Sequence, residues 1–199
     1  DATAPHVRRV AEEGRALGVA GVCVDGIWAR LVHERLAGSS VRTVVVVGFP
    51  HGATTTAVKA FEARQAVEDG AEELDMVMAI GRAKGGEWDA VHDDIAAVVA
   101  AAPGVPVKVI LETILLEPLQ IVEACLVAME AGARFVKTST GTITSGGARE
   151  ASVRLMRRAV GDAFGVKASG GVRTAEVALR MLAAGASRIG TSSAPAMLA

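Results

Sequence analysis

The sequence predicts an α/β protein, a (β/α)8 TIM barrel whose first strand is absent from this chain. Short apolar runs alternate with longer amphipathic segments from one end of the chain to the other. Tyr is absent and aromatic residues make up only 3%, whereas Ala, Val and Gly are abundant. Small and β-branched residues suit closely packed parallel strands, and the alternation is typical of strands joined by crossover helices.

Seven strands are predicted, at 20–25, 42–49, 73–79, 105–112, 134–140, 165–169 and 188–191. Helical periodicity predicts helices at 56–69, 88–101, 118–131, 150–161 and 174–184. Gly70, Gly132 and Gly185 each stand between a helix and the next strand, where a glycine can take the left-handed conformation that ends a helix.

A closed barrel of this type needs eight strands, and the eighth could precede Asp1. An open doubly wound sheet remains an alternative. The steady rhythm of the units, the polar strand ends and the lack of a long crossover favour the barrel. No linker or low-complexity segment interrupts 1–199, so we predict a single domain.

The composition limits which binding partners and which cellular compartment we expect. Lys and Arg number 21 against 22 Asp and Glu, a net charge of −1, which argues against a nucleic-acid or membrane-surface binder. No apolar run is long enough to span a membrane. Cys23 and Cys125 lack metal-ligand spacing and are expected to be reduced thiols, which predicts a cytoplasmic protein. The four histidines show no metal spacing, so no metal is expected.

Two lysines are the strongest candidates for chemistry. Lys137 and Lys167 lie in near copies of one motif, at 136–141 and 166–171, one βα unit apart. Neighbouring strands would then carry a lysine at the same height, and each should lower the pKa of the other. Only a neutral amine attacks a carbonyl, so this pair suits Schiff-base chemistry. Two lysines that are each paired with a carboxylate are the alternative.

Carboxylates complete the candidate site. Asp75 is an acid within an apolar strand, where it could relay protons through water or act as a counter-ion to a lysine. Lys108 is expected to be a buried ion-pair partner, with Glu112 as the candidate carboxylate. Asp94, in contrast, is interpreted as part of a solvated helix face.

The last two strands end in small and hydroxyl residues that suit a phosphate group. Backbone N–H groups of glycines can approach an anion closely, and serine hydroxyls add donors. The candidate phosphate or substrate residues at the strand ends are Thr140, Gly141, Gly170, Gly171, Gly190, Ser192 and Ser193.

These motifs together resemble the deoxyribose-phosphate aldolases over nearly the whole chain. The matching stretches are 21–24, 47–56, 73–77, 107–113, 135–141, 165–174 and 188–193. Family members usually begin with a further strand that reads roughly Asp-His-Thr-Leu, which fits the missing eighth strand. The family is commonly dimeric, so a homodimer is one candidate assembly.

The resemblance implies reversible cleavage of 2-deoxy-D-ribose 5-phosphate into glyceraldehyde 3-phosphate and acetaldehyde, without a cofactor. It implies that Lys137 forms the Schiff base, that Lys167 lowers the pKa of Lys137, and that Asp75 relays protons. Gly170, Gly171, Ser192 and Ser193 match the phosphate site. Two other functions stay open at this point: another phosphosugar barrel enzyme, and a barrel that binds a phosphate ligand without turnover.

Overall fold

The computed structural model describes residues 2–198, which form seven strands and nine helices. The strands are β1 (Gly21–Val24), β2 (Arg42–Val47), β3 (Glu73–Val77), β4 (Val107–Ile110), β5 (Phe135–Lys137), β6 (Gly165–Ser169) and β7 (Arg188–Gly190). The helices are α1 (Ala4–Leu17), α2 (Ala29–Leu36), α3 (Thr56–Glu68), α4 (Ile80–Lys84), α5 (Trp88–Ala101), α6 (Pro118–Glu130), α7 (Glu150–Val160), α8 (Ala175–Ala183) and α9 (Ala194–Leu198). Two 3-10 turns, Gly26–Trp28 and Thr113–Leu115, follow β1 and β4.

All seven strands belong to one parallel sheet in the order β1-β2-β3-β4-β5-β6-β7. This confirms the seven predicted strands, each of which contains the observed strand. Helices α3, α5, α6, α7 and α8 also lie within their predicted ranges. The sequence prediction did not include α1, α2, α4 or α9.

The sheet is strongly curled, as a barrel requires. Strands β3 and β6 are three positions apart, which would separate them by about 14 Å in a flat sheet. Yet the Asp75 carboxylate of β3 lies 2.7 Å from the Lys167 amine of β6. Glu73 and Arg188, four strands apart, approach to 3.4 Å. The chain therefore has the architecture of a TIM barrel, and within residues 2–198 β1 and β7 remain as unpaired edges.

The main hydrophobic core fills the space between the sheet and its helices. Every residue of β3 is buried. Buried side chains of β2, of β4 to β6 and of the helices that follow these strands form most of the rest of this core. Gly70, Gly132 and Gly185 have φ values of 97°, 86° and 110°, which confirms their predicted role at helix ends. None of the helices within residues 2–198 has the length and apolarity that crossing a membrane demands.

A buried ion pair outside the barrel interior corrects the prediction for Asp94. Asp94 of α5 is only 2% exposed, and its carboxylate lies 2.5 Å from the amine of Lys59 on α3, which is fully buried. The Lys59 amine also donates to the carbonyl of Val77, 3.0 Å away at the end of β3. Asp94 was predicted to be solvated because it follows two polar residues, but it lies on the opposite, inward face of α5.

We predict that Lys59→Met destabilises the protein by about 3–5 kcal/mol, because it leaves the Asp94 carboxylate buried without a counter-charge. Urea unfolding at neutral pH measures this loss. Adding Asp94→Asn should recover part of it. Lys84→Met, a control on an exposed lysine, should stay within about 0.5 kcal/mol of the unsubstituted protein. A loss of under about 1 kcal/mol for Lys59→Met would contradict a structural role for this pair.

Candidate active site

The centre of the candidate site is the carboxylate of Asp75, which is fully buried inside the barrel. Its Oδ1 accepts a hydrogen bond from Lys108 Nζ at 2.8 Å. Its Oδ2 accepts from Lys137 Nζ and from Lys167 Nζ, both at 2.7 Å. One carboxylate thus binds three ammonium groups that come from three other strands.

The strand register explains this convergence. Lys137 and Lys167 are paired across β5 and β6, so the prediction of two lysines at one height is confirmed. Asp75 pairs with Lys108 across β3 and β4. Because side chains alternate along a strand, all four of these residues point into the barrel.

The charges shift the pKa values of the three closest groups in different directions. Burial raises the pKa of Asp75, but the charges of Lys137, Lys167 and Lys108 outweigh it and hold that pKa well below its usual range. Burial lowers the pKa of Lys137, yet the charge of Asp75 and its hydrogen bond leave that pKa above the ordinary value. For Lys167, burial and the charge of Lys137 outweigh Asp75, and the pKa is lowered.

The charge of Lys137 lowers the pKa of Lys167, as predicted. The pKa of Lys137 nevertheless lies above its ordinary value because of Asp75, so the predicted net fall is wrong for that lysine. Sequence spacing reveals the two lysines but not the anion between them. The two amines share one oxygen, so they titrate as a coupled pair. The pKa at which the first proton is lost is therefore a property of both lysines together. Of the two amines, that of Lys167 loses its proton more readily.

Lys108 is a buried ion-pair partner, as expected, but its partner is not Glu112. Its amine lies 2.6 Å from Glu73 Oε2 and 2.8 Å from Asp75 Oδ1. Both acids point inward from the neighbouring strand β3, whereas Glu112 lies beyond the end of β4, where its carboxylate accepts hydrogen bonds from Thr140. The alternating period of the strands was the signal that could have indicated this pairing.

Glu73 connects the site to the far end of the barrel. It forms ion pairs with Arg42 at 2.8 Å and with Arg188 at 3.4 Å, besides Lys108. The Lys108 amine lies 6.0 Å from the centroid of the Phe135 ring, and the Arg188 guanidinium lies 5.5 Å from it. Charges of alternating sign therefore extend from the barrel floor to Lys137 and Lys167, a feature that sequence reasoning missed.

Glycines from two of the predicted phosphate elements meet in the loops that follow the two lysine strands. Gly141 and Gly170 both have positive φ, and a Cβ on Gly141 would lie 3.8 Å from the Cα of Gly170. A Cβ on Gly147 would clash with the Gly170 carbonyl at 2.3 Å, and Ala148 N donates to the same carbonyl at 2.9 Å. The loop after β5 therefore lies against the loop after β6, at a distance that only glycine permits.

The remaining predicted residues are placed differently. Gly171 has φ 76° and follows Gly170 directly, while Ser192 is exposed and Ser193 N donates to the Thr191 hydroxyl at 2.9 Å. A Cβ on Gly190 would lie 3.0 Å from Lys167 Cε, so Gly190 leaves room for that lysine. The Thr140 N–H and hydroxyl both donate to Glu112, and the role of Thr140 in binding phosphate or substrate stays a prediction.

Known proteins share this fold and these sequence motifs. The sequence model of the DeoC/LacD family aldolases matches residues 4–194. A deoxyribose-phosphate aldolase from Clostridium novyi is 52% identical over 198 residues, which cover 99% of this chain and 89% of that protein. One from Micrococcus luteus is 52% identical over 206 residues, which cover 100% of this chain and 90% of that protein.

A solved structure of a protein with the same name as these relatives is similar to this chain in fold. The deoxyribose phosphate aldolase from Aeropyrum pernix, described as tetrameric, has a TM-score of 0.92 and is 33% identical. The match covers 99% of this chain and 83% of that one. From the matched sequence, the curled parallel sheet and the paired lysines inside it, we conclude that the chain belongs to the DeoC/LacD family of aldolases.

Proposed function

We propose that this chain is a deoxyribose-phosphate aldolase, which reversibly cleaves 2-deoxy-D-ribose 5-phosphate into glyceraldehyde 3-phosphate and acetaldehyde. The observation that carries the proposal is the pair of lysine amines that share Asp75 Oδ2 at 2.7 Å. Family membership and relatives at 52% identity support the same substrate.

The reaction begins at Lys137. Its neutral amine attacks the aldehyde carbon C1 of the open-chain sugar and, with loss of water, forms an iminium ion. The C3 hydroxyl then gives up its proton and the C2–C3 bond breaks. The electron pair of that bond moves to the C1–C2 enamine, and C3 becomes the aldehyde carbon of glyceraldehyde 3-phosphate. The iminium is the electron sink, so we propose that no cofactor takes part.

Release of the second product reverses the first steps. The enamine is protonated at C2, and water hydrolyses the resulting iminium to acetaldehyde and the free amine. We propose that Asp75 and Lys167 transfer these protons. Asp75 acts through a water molecule, and the lowered pKa of Lys167 allows it to exchange a proton. Asp75 remains ionised at neutral pH because its own pKa is well below the usual range.

The phosphate is assigned to the loops beyond β5, β6 and β7. Gly141 and Gly170 bring the loops after β5 and β6 close together. We propose that this turn, with Gly171, Ser192 and Ser193, binds the phosphate through N–H and hydroxyl donors. Gly190 contributes space beside Lys167 rather than a donor.

The assembly and compartment of the enzyme are also proposals. The Aeropyrum pernix relative is described as tetrameric, and Ile27 and Phe61 expose 81% and 60% of their surface. Both observations support a homo-oligomer, of which a homodimer is the simplest. Cys23 and Cys125 are free thiols, which supports the reducing cytoplasm. We propose that residues 1–199 act as one domain.

We predict that the purified chain cleaves 2-deoxy-D-ribose 5-phosphate and that Lys137→Arg abolishes this activity. Arginine keeps the positive charge beside Asp75 but is not deprotonated, so it cannot form an imine. An assay of glyceraldehyde 3-phosphate release measures the loss, which should exceed about a thousandfold, because the covalent route is removed. Turnover by the arginine variant, or none by the unsubstituted chain, would contradict the proposal.

We also predict that Lys167→Met moves the rising limb of the kcat/KM profile to higher pH. Without the second ammonium, Asp75 Oδ2 acts on Lys137 alone and raises the pKa of Lys137 further. The neutral fraction of Lys137 at neutral pH then falls, and the limb should move by about one unit or more. Lys167→Arg, which keeps the charge, is the control and should leave the limb in place. An unchanged profile for Lys167→Met would rule out the assigned role.

A further inference from the structure

Glu112 has an unusual backbone conformation for its residue type. It follows β4 with φ 54° and ψ 60°, and within residues 2–198 it is the only residue besides glycine with a positive φ. The left-handed region is unfavourable for residues with a Cβ, and such strain is typically found where a side chain has a task. Glu112 is also only 2% exposed, so its carboxylate needs partners.

Those partners lie on the loop that follows β5, the strand that carries Lys137. Glu112 Oε2 accepts from Thr140 N at 3.0 Å and from the Thr140 hydroxyl at 2.5 Å. The Thr140 oxygen in turn accepts from Thr142 N at 3.2 Å and lies 2.8 Å from the Thr142 hydroxyl. One buried carboxylate thereby fixes residues 140–142 through two charge-assisted hydrogen bonds.

The contact between Glu112 and Thr140 continues the hydrogen bonding between the segments that follow β4 and β5. Leu111 N donates to the Lys137 carbonyl and Thr113 N to the Thr138 carbonyl, both at 2.9 Å. These backbone bonds end at Thr138, and Glu112 continues the connection to Thr140. Gly141, the next residue, also lies close to Gly170, since a Cβ on Gly141 would be 3.8 Å from the Gly170 Cα.

We infer that Glu112 is a positioning residue that holds Thr140 and thereby fixes Gly141 against Gly170, the part of the site that takes the phosphate of the substrate. This inference rests on the proposed function. The position of the imine-forming amine does not depend on Glu112, because Lys137 and Lys167 are held by Asp75 and by the β5–β6 register. The charge of Glu112 is only the last of the causes that raise the Lys137 pKa, after Asp75 and Cys23. Loss of Glu112 should therefore weaken binding of the phosphorylated sugar and spare the chemical step.

The decisive variant is Glu112→Gly, since glycine adopts the same backbone conformation without strain and removes the carboxylate. We expect KM for 2-deoxy-D-ribose 5-phosphate to rise about tenfold or more, the effect of losing charge-assisted hydrogen bonds, with kcat within about threefold. For 2-deoxy-D-ribose, which lacks the phosphate, kcat/KM should stay within about threefold of the unsubstituted enzyme. A cooperative unfolding transition in urea should show that both proteins are folded.

Two further variants test the hydrogen bonds themselves. Glu112→Gln keeps an acceptor for both Thr140 donors and should restore KM to within about threefold of the original value. Thr140→Val keeps the N–H and the shape but removes the hydroxyl donor, so KM should rise in the same direction by a smaller factor.

Other results would overturn the inference. These are an unchanged KM in Glu112→Gly, an equal fall in kcat/KM for both sugars, or a glutamine variant as impaired as the glycine variant. If the unsubstituted chain fails to cleave the phosphorylated sugar, the proposed function itself is wrong. The unsubstituted control therefore separates the two failures.

Discussion

The site depends on one interaction, the sharing of the Asp75 carboxylate by lysines from three other strands. Two of the amines, those of Lys137 and Lys167, contact the same oxygen at 2.7 Å. A single negative charge cannot fully compensate both ammonium groups, so the pair releases one proton more easily than an isolated lysine does. The barrel is what permits this, because only a curled sheet brings β3 within reach of β6.

The surrounding structure holds that carboxylate in place. Lys108 occupies the other oxygen of Asp75 and also binds Glu73, which the arginines of β2 and β7 stabilise from the barrel floor. On the outside, Lys59 binds the Val77 carbonyl two residues beyond Asp75. Buried charges are unfavourable unless each finds partners, and these networks supply them from elements distant in sequence.

Period and spacing in the sequence were enough to predict the parallel strands, the level placement of Lys137 and Lys167, and Asp75 as a counter-ion to a lysine. They could not predict which charges meet across the barrel. Lys108 was assigned to Glu112, four residues away, although its partners lie on β3. Asp94 was predicted to be solvent-exposed because no pattern in the nearby sequence indicates its ion pair with Lys59. The direction of the Lys137 pKa shift depends on the same long-range geometry.

The most direct test of the central claim is reduction of the protein with sodium borohydride in the presence of acetaldehyde, followed by peptide mass mapping. Lys167 has the lowered pKa in the free protein, yet we propose Lys137 as the nucleophile, because the two amines share Asp75 Oδ2 and titrate as a coupled pair. We predict a reduced two-carbon adduct on Lys137. An adduct on Lys167, or none on the folded protein, would contradict this assignment.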